Sequence, residues 1–327
     1  MAEKYKRVLI GRLALPVLAA ALLALALIPG ATQQAATENV ATCPVRMAAY
    51  LELYQYDTSL PLNPEEKLVE ETDTYQLYHV LYDSTRNLRI PALLMLPKSP
   101  AAGPRPCIFF MHGYTSRKER FNAIFPFCVD AGCAAFAIDA QYHGERKIEG
   151  VDIYSEYIHR NRDAIIQTIV DARRGLDYLS SRLEIDPARI AVMGTSMGGI
   201  MASIFAGVDE RLKAAVLVVA GGDWGLMTQT SQITPAKTLR GSAAPPDYDE
   251  IRAVTQCCDP LNFVGRISPR PAIFLNGSQD EIVPPPATKL LYEAAGEPKE
   301  IHWYESGHKL PQPEAYEQVA AWLKERL

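Results

Sequence analysis

Along most of the chain, short apolar runs alternate with segments whose apolar residues recur at helical spacing. Cys107–Met111, Ala134–Ile138, Ile190–Met193, Ala214–Val219 and Ala272–Leu275 are apolar at every position and stop at turn residues. Runs this short, with no polar alternation, suit parallel strands buried on both faces. Ile301–Tyr304 predicts a last strand, and Thr74–Tyr82 and Leu88–Leu96 predict an antiparallel opening pair. In Asp163–Leu183, the residues Ile165, Ile166, Ile169, Val170, Leu176, Leu179 and Leu183 follow a period near that of an α-helix. Met197–Ala206, Ala287–Ala295 and Pro313–Leu327 behave similarly. Strands alternating with helices predict an α/β fold, with a mostly parallel eight-stranded sheet and helices on both faces.

Two stretches break this rhythm. From Leu13 to Ile28 every residue is apolar, behind Lys4, Lys6, Arg7 and Arg12 and ahead of Pro29-Gly30. The run is shorter than the roughly 20 residues of a spanning helix. A positive head, an apolar middle and a polar exit describe a secretory signal over residues 1–30. No clean Ala-x-Ala pair follows Ile28, so an uncleaved membrane anchor stays open, with a buried helix as a third reading. The expected location is therefore outside the cytoplasm, periplasmic or extracellular, with membrane contact only through that segment. Residues 31–73 read as an N-terminal extension and 74–327 as the catalytic domain. Residues 221–265, rich in Thr, Gln, Pro and Asp and carrying Trp224, read as a cap over the sheet's C-terminal edge.

Composition narrows the class without naming it. Hydrophobic residues make up 48% and charged residues 22% of the 327, enough for a sizeable core and against disorder. Net charge is −5 with no long Lys/Arg block, which excludes a phosphate-binding stripe and argues against a nucleic-acid partner. Of the six cysteines, Cys107 sits in an apolar run and Cys257-Cys258 are adjacent; no pair has zinc-finger spacing. Neither a metal nor an organic cofactor is expected.

The chemistry concentrates in Gly194-Thr195-Ser196-Met197-Gly198, a Gly-x-Ser-x-Gly string between a strand candidate and a helix candidate. Such a turn pushes a serine oxygen into the open, and glycines two residues either side remove clashing side chains. A serine hydroxyl needs a base to become a nucleophile. His308, in Glu305-Ser306-Gly307-His308 beyond the last strand, suits the chain order serine, acid, histidine. Asp280, in the turn after Ala272–Leu275, is the expected acid, with Glu281 its nearest rival. Oxyanion donors are expected from the backbone N–H of Met197 and from that of Tyr114 in His112-Gly113-Tyr114-Thr115-Ser116. His112 is then part of the loop. His143, Glu145 and Arg146 read first as a loop tie, with His143 and Trp224 as candidate substrate contacts.

With these residues in place, HGYTS, GTSMG, NGSQDEIVP and SGHKLP fall in order, and from about Thr74 to Leu327 the chain resembles the α/β-hydrolase superfamily. Within it, the chain is similar to the dienelactone-hydrolase-like and prolyl-oligopeptidase-like esterases and peptidases. Asp139-Ala140-Gln141-Tyr142-His143-Gly144-Glu145-Arg146 resembles the Asp-x-x-x-His-Gly-x-Arg loop of small bacterial esterases in that group. Dienelactone hydrolases carry a cysteine where this chain has Ser196, and prolyl-oligopeptidase relatives carry a large N-terminal propeller. The resemblance implies a serine esterase acting on small or acetylated esters through an acyl-enzyme. A peptidase or amidase is the second reading, and a non-catalytic binding module the third. The acyl and alcohol groups, the oligomeric state and the disulfide pairing stay open.

Overall fold

The computed structural model describes residues 44–99 and 103–327. The leader expected over residues 1–30 lies outside the described residues, as does Cys43. Among the described residues no helix is long and apolar enough to cross a membrane.

In chain order the elements are α1 (Pro44–Glu52), β1 (Glu65–Glu71), β2 (Tyr75–Asp83), β3 (Arg89–Pro97), β4 (Arg105–Met111), α2 (Phe125–Asp130), β5 (Ala134–Ile138), α3 (Ile158–Ser180) and β6 (Ile185–Thr195). There follow α4 (Met197–Val208), β7 (Leu212–Val218), α5 (Trp224–Thr230), α6 (Thr234–Arg240), α7 (Tyr248–Thr255), β8 (Ala272–Gly277), α8 (Pro285–Ala294), β9 (Lys299–Tyr304) and α9 (Glu314–Lys324). The strands form one sheet in the order β1-β2-β3-β5-β4-β6-β7-β8-β9. β1, β2 and β3 run antiparallel to their neighbours, and every pairing from β5 to β9 is parallel. The sheet has nine strands where the apolar pattern predicts eight. The additional strand is β1, EEKLVEE, which is exposed at every position. An edge strand with no buried face leaves no apolar alternation to read.

Burial explains the rest. β5 and β8 are buried at every residue, as expected for strands covered on both faces. One core packs α3, α4 and Leu291 of α8 against the sheet. The opposite core uses Phe125 and Cys128 of α2 with Val319 and Trp322 of α9. α3 begins five residues before the periodic run suggests and stops before Leu183, which is 90% exposed instead of helical and buried. The segment read as an extension also belongs to the fold: Met47 and Tyr54 are buried in the first core, and β1 pairs with β2. The described residues 44–73 fall in the same compact unit as residues 74–327. Residues 221–265, the segment expected as a cap, carry the helices α5–α7. Cys107, Cys128, Cys133, Cys257 and Cys258 are all free thiols.

The topology dictates where a ligand can sit. The chain leaves β4 for β5 on one side, then returns to β6 on the other. α2, which follows β4, and α4, which follows β6, lie on opposite faces. A crevice therefore opens at the carboxyl ends of β4 and β6, the switch point of an open parallel sheet.

Candidate active site

Ser196 occupies that crevice, between β6 and α4, with φ 57° and ψ −122°. Its N–H donates to the Val218 carbonyl of β7 at 2.8 Å, which holds the turn against the sheet. Few side-chain-bearing residues accept such a backbone, and strain of this kind persists only where the surroundings over-determine it. Both flanking glycines are steric requirements. A methyl group on Gly194 would overlap the Gly198 carbonyl, and one on Gly198 would overlap the Met111 carbonyl. The second overlap also shows how closely the end of β4 approaches the elbow.

The loops after β8 and β9 deliver the partners. His308 Nε2 lies 2.9 Å from Ser196 Oγ, and His308 Nδ1 lies 2.8 Å from Asp280 Oδ2. Asp280 Oδ1 accepts the N–H groups of Ile282 and Val283 at 2.8 and 2.9 Å. The carboxylate is thereby oriented from behind, one oxygen to the backbone and the other to the imidazole. Asp280 is 3% exposed and Ser196 8%, whereas the His308 side chain is 27% exposed. Glu281 is exposed and supplies only its carbonyl, to the Gln232 N–H. Of the two candidate acids, the structure brings Asp280 to the histidine.

Met197 is the first residue of α4, so its N–H belongs to the group of helix-terminal donors without an intrahelical partner. Tyr114 follows Gly113, where a side chain would reach within 3.3 Å of the Thr195 carbonyl. Among the described residues, neither the Tyr114 N–H nor the Met197 N–H donates to a turn, loop or cap carbonyl. Tyr114, Ser196 and Met197 share one cavity. Beside them His112 is buried, with Nδ1–H donating to Gly113 O at 2.9 Å and Nε2 accepting the Ala140 N–H at 3.0 Å. Burial lowers its pKa from 6.5 to about 4, so it is a neutral strut of the loop.

The Asp139–Arg146 loop is tied down by charge. Asp139, fully buried, accepts from the Lys118 N–H and Nζ, each at 2.9 Å, and from the Glu145 N–H at 3.0 Å. Glu145 also meets Lys118 and His79, and Arg146 meets Asp171 at 2.7 Å. His143, expected also as a substrate contact, is not on the cavity wall. Its ring packs edge-on to Tyr114 at 5.9 Å, and Nδ1 bonds the Gln141 carbonyl at 2.8 Å.

Trp224 does line the cavity, with Nε1–H donating to Cys258 O at 3.0 Å and its ring 5.8 Å from Tyr154. Tyr154 in turn lies 5.1 Å from Tyr114, whose hydroxyl donates to Asp152 at 2.5 Å. Tyr154 and Asp152 escaped the sequence reading. The available signal was an aromatic among polar residues, in the loop that carries the chain from β5 to α3 along the sheet's carboxyl edge. Among the described residues no cluster of three His, Cys, Asp or Glu side chains is arranged to hold a metal ion.

Comparison with known proteins agrees with this architecture. Residues 49–221 match the acetyl xylan esterase (AXE1) family. The acetyl xylan esterase from Paenibacillus sp. R4 superposes with a TM-score of 0.74 at 24% identity, over 86% of this chain and 94% of that one. Acetyl xylan esterase 1 from Thermoanaerobacterium sp. JW/SL YS485 gives 0.73 at 22% identity, with the same coverage of both chains. The protein YtaP of Bacillus subtilis (strain 168) is 25% identical over 238 residues, 68% of this chain and 76% of its own. The fold is thus that of the α/β-hydrolases. On the family match, which spans more than half of the sequence, the chain belongs to the acetyl xylan esterase (AXE1) family and is a carboxylic ester hydrolase.

Proposed function

We propose that Ser196 is the nucleophile of this esterase, His308 its general base and acid, and Asp280 the carboxylate that orients the imidazole. The observation that carries the reading is the unbroken hydrogen-bonded chain from Ser196 Oγ through both ring nitrogens of His308 to Asp280. Ser196 Oγ attacks the ester carbonyl carbon as His308 Nε2 takes its proton. The carbonyl oxygen, now an anion, is held by the N–H groups of Met197 and Tyr114. Donors of this kind are each worth about 3–4 kcal/mol of transition-state stabilisation. His308 returns the proton to the alkoxide as the carbon–oxygen bond breaks, and the alcohol leaves. Water, deprotonated by His308, then attacks the acyl-enzyme; the acid departs and Ser196 regains its proton. Asp280 keeps Nδ1 protonated throughout, so Nε2 stays free to accept.

Ser196→Ala is expected to lower kcat on p-nitrophenyl acetate by at least about 10⁴-fold, with an unchanged melting temperature. Steady-state assays paired with thermal denaturation read this out. A folded variant that keeps wild-type turnover ends the assignment.

A further inference from the structure

The cavity that begins at Ser196 runs under the cap and encloses about 110 Å³. Its far wall is apolar, with Ile165 of α3, Ile200 of α4, Met227 of α5, Leu239 of α6 and Ile251 of α7. Three of the hydroxyls on its wall donate to backbone carbonyls. Thr228 donates to Trp224 O at 2.7 Å, Ser231 to Ile282 O at 2.5 Å and Thr255 to Ile251 O at 2.7 Å. An apolar group fits such a wall better than a sugar, whose hydroxyls would meet few polar partners.

The direction of the cavity follows from the chemistry. The leaving oxygen must receive its proton from His308 Nε2, so the alcohol side of the ester faces His308. The cavity shares Ser196, Met197 and Tyr114 with the reaction centre, but His308 does not line it. On that lining it extends on the acyl side of the carbonyl, while the alcohol points to the partly exposed imidazole and to solvent.

We propose that this cavity is an acyl-chain pocket, and that the enzyme prefers esters of linear apolar acids of about four to eight carbons over acetate esters. The proposal rests on the reading of Ser196 as nucleophile. An acetyl group places a single methyl in a wall built from five separate helices. Each further methylene buried there is expected to raise kcat/KM about fourfold until the chain reaches the end.

The test varies the acyl group with the leaving group fixed, using p-nitrophenyl acetate, butyrate, hexanoate and octanoate on the full chain. The expected result is a kcat/KM at least tenfold higher for hexanoate than for acetate. Ala236, buried on the α6 wall, offers a second arm. Ala236→Phe is expected to lower the hexanoate-to-acetate ratio at least tenfold. A wild-type profile that peaks at acetate overturns the pocket assignment, as does an unchanged ratio in a folded Ala236→Phe protein. If that variant does not fold, the wild-type profile decides alone. Ser196→Ala separates the two layers. If it is inactive while acetate is preferred, only the acyl proposal fails; if it is active, the nucleophile assignment fails first.

Discussion

The elbow at Ser196 and the cap of α5–α7 meet at one cavity but are held by different means. At the elbow the constraints are backbone against backbone: Gly198 under the Met111 carbonyl, and the Ser196 N–H on Val218 O. The cap is held mainly by side chains, beside the Gln232 N–H on the Glu281 carbonyl. Asp259 accepts the N–H groups of Asp223 and Trp224, Arg252 pairs with Asp223 at 2.9 Å, and Arg240 reaches the Thr228 and Ser231 carbonyls. A backbone constraint leaves no substitution that preserves it, whereas a side-chain constraint can be exchanged for another. On the proposed mechanism, chemistry is fixed in one region and substrate choice adjustable in the other.

The sharpest way to probe the fixed half is Asp280→Asn. The Ile282 and Val283 amides require an oxygen, so the new amide NH₂ must face His308 Nδ1. The ring then carries its proton on Nε2 and cannot take one from Ser196. A loss of about 10⁴-fold in kcat at neutral pH is expected, with little loss of stability. A loss below about tenfold would mean that the carboxylate does not set the tautomer, and the contrast between the regions would weaken.

A smaller effect tests whether burial beside the elbow matters to the fold. The His112 pKa is pushed down to about 4 by burial, below its ordinary 6.5. The unfolded chain therefore binds a proton before the folded one does. The stabilising contribution is complete above pH 6.5 and is lost as pH falls through 4, by at most about 3 kcal/mol. Protonated Nε2 would also face the Ala140 N–H, donor against donor. Urea denaturation of wild type and His112→Gln across pH 4–7 should show the wild type losing ground at the acid end. Parallel pH profiles would refute the strut.

The smallest effect belongs to the cap. Trp224→Phe keeps an aromatic wall but strips the donor from Cys258 O. A loss of about 1 kcal/mol in stability is expected, and a change in kcat/KM of less than about tenfold. An effect as large as that at Asp280 would show that the cap positions the reaction centre itself.

The same division explains what could be read in advance. Ser196 and Asp280 each follow an apolar strand and His308 follows the mixed strand β9; a strand end followed by a glycine-bearing turn is visible as a local string. β1 left no trace because an exposed edge has no periodic apolar face. The cavity wall was illegible for another reason. Ile165, Ile200 and Ile251 lie on different helices, and an isoleucine facing a cavity looks the same in sequence as one facing the core. Only convergence in space distinguishes them. Leu183 shows the converse: an apolar residue in phase with a helix that had already ended.

β1 has a further consequence. It carries Glu65, Glu66, Glu70 and Glu71 on the border of the sheet, open among the described residues, with a register break between Leu68 and Glu70. A second molecule offering the same strand would meet a kinked ladder whose Glu65, Glu66 and Glu71 are already paired with Arg89, Arg182 and Lys98. That border resists ribbon-like growth from one molecule to the next, so an enzyme whose largest structural asset is an extended sheet is protected from polymerising through it.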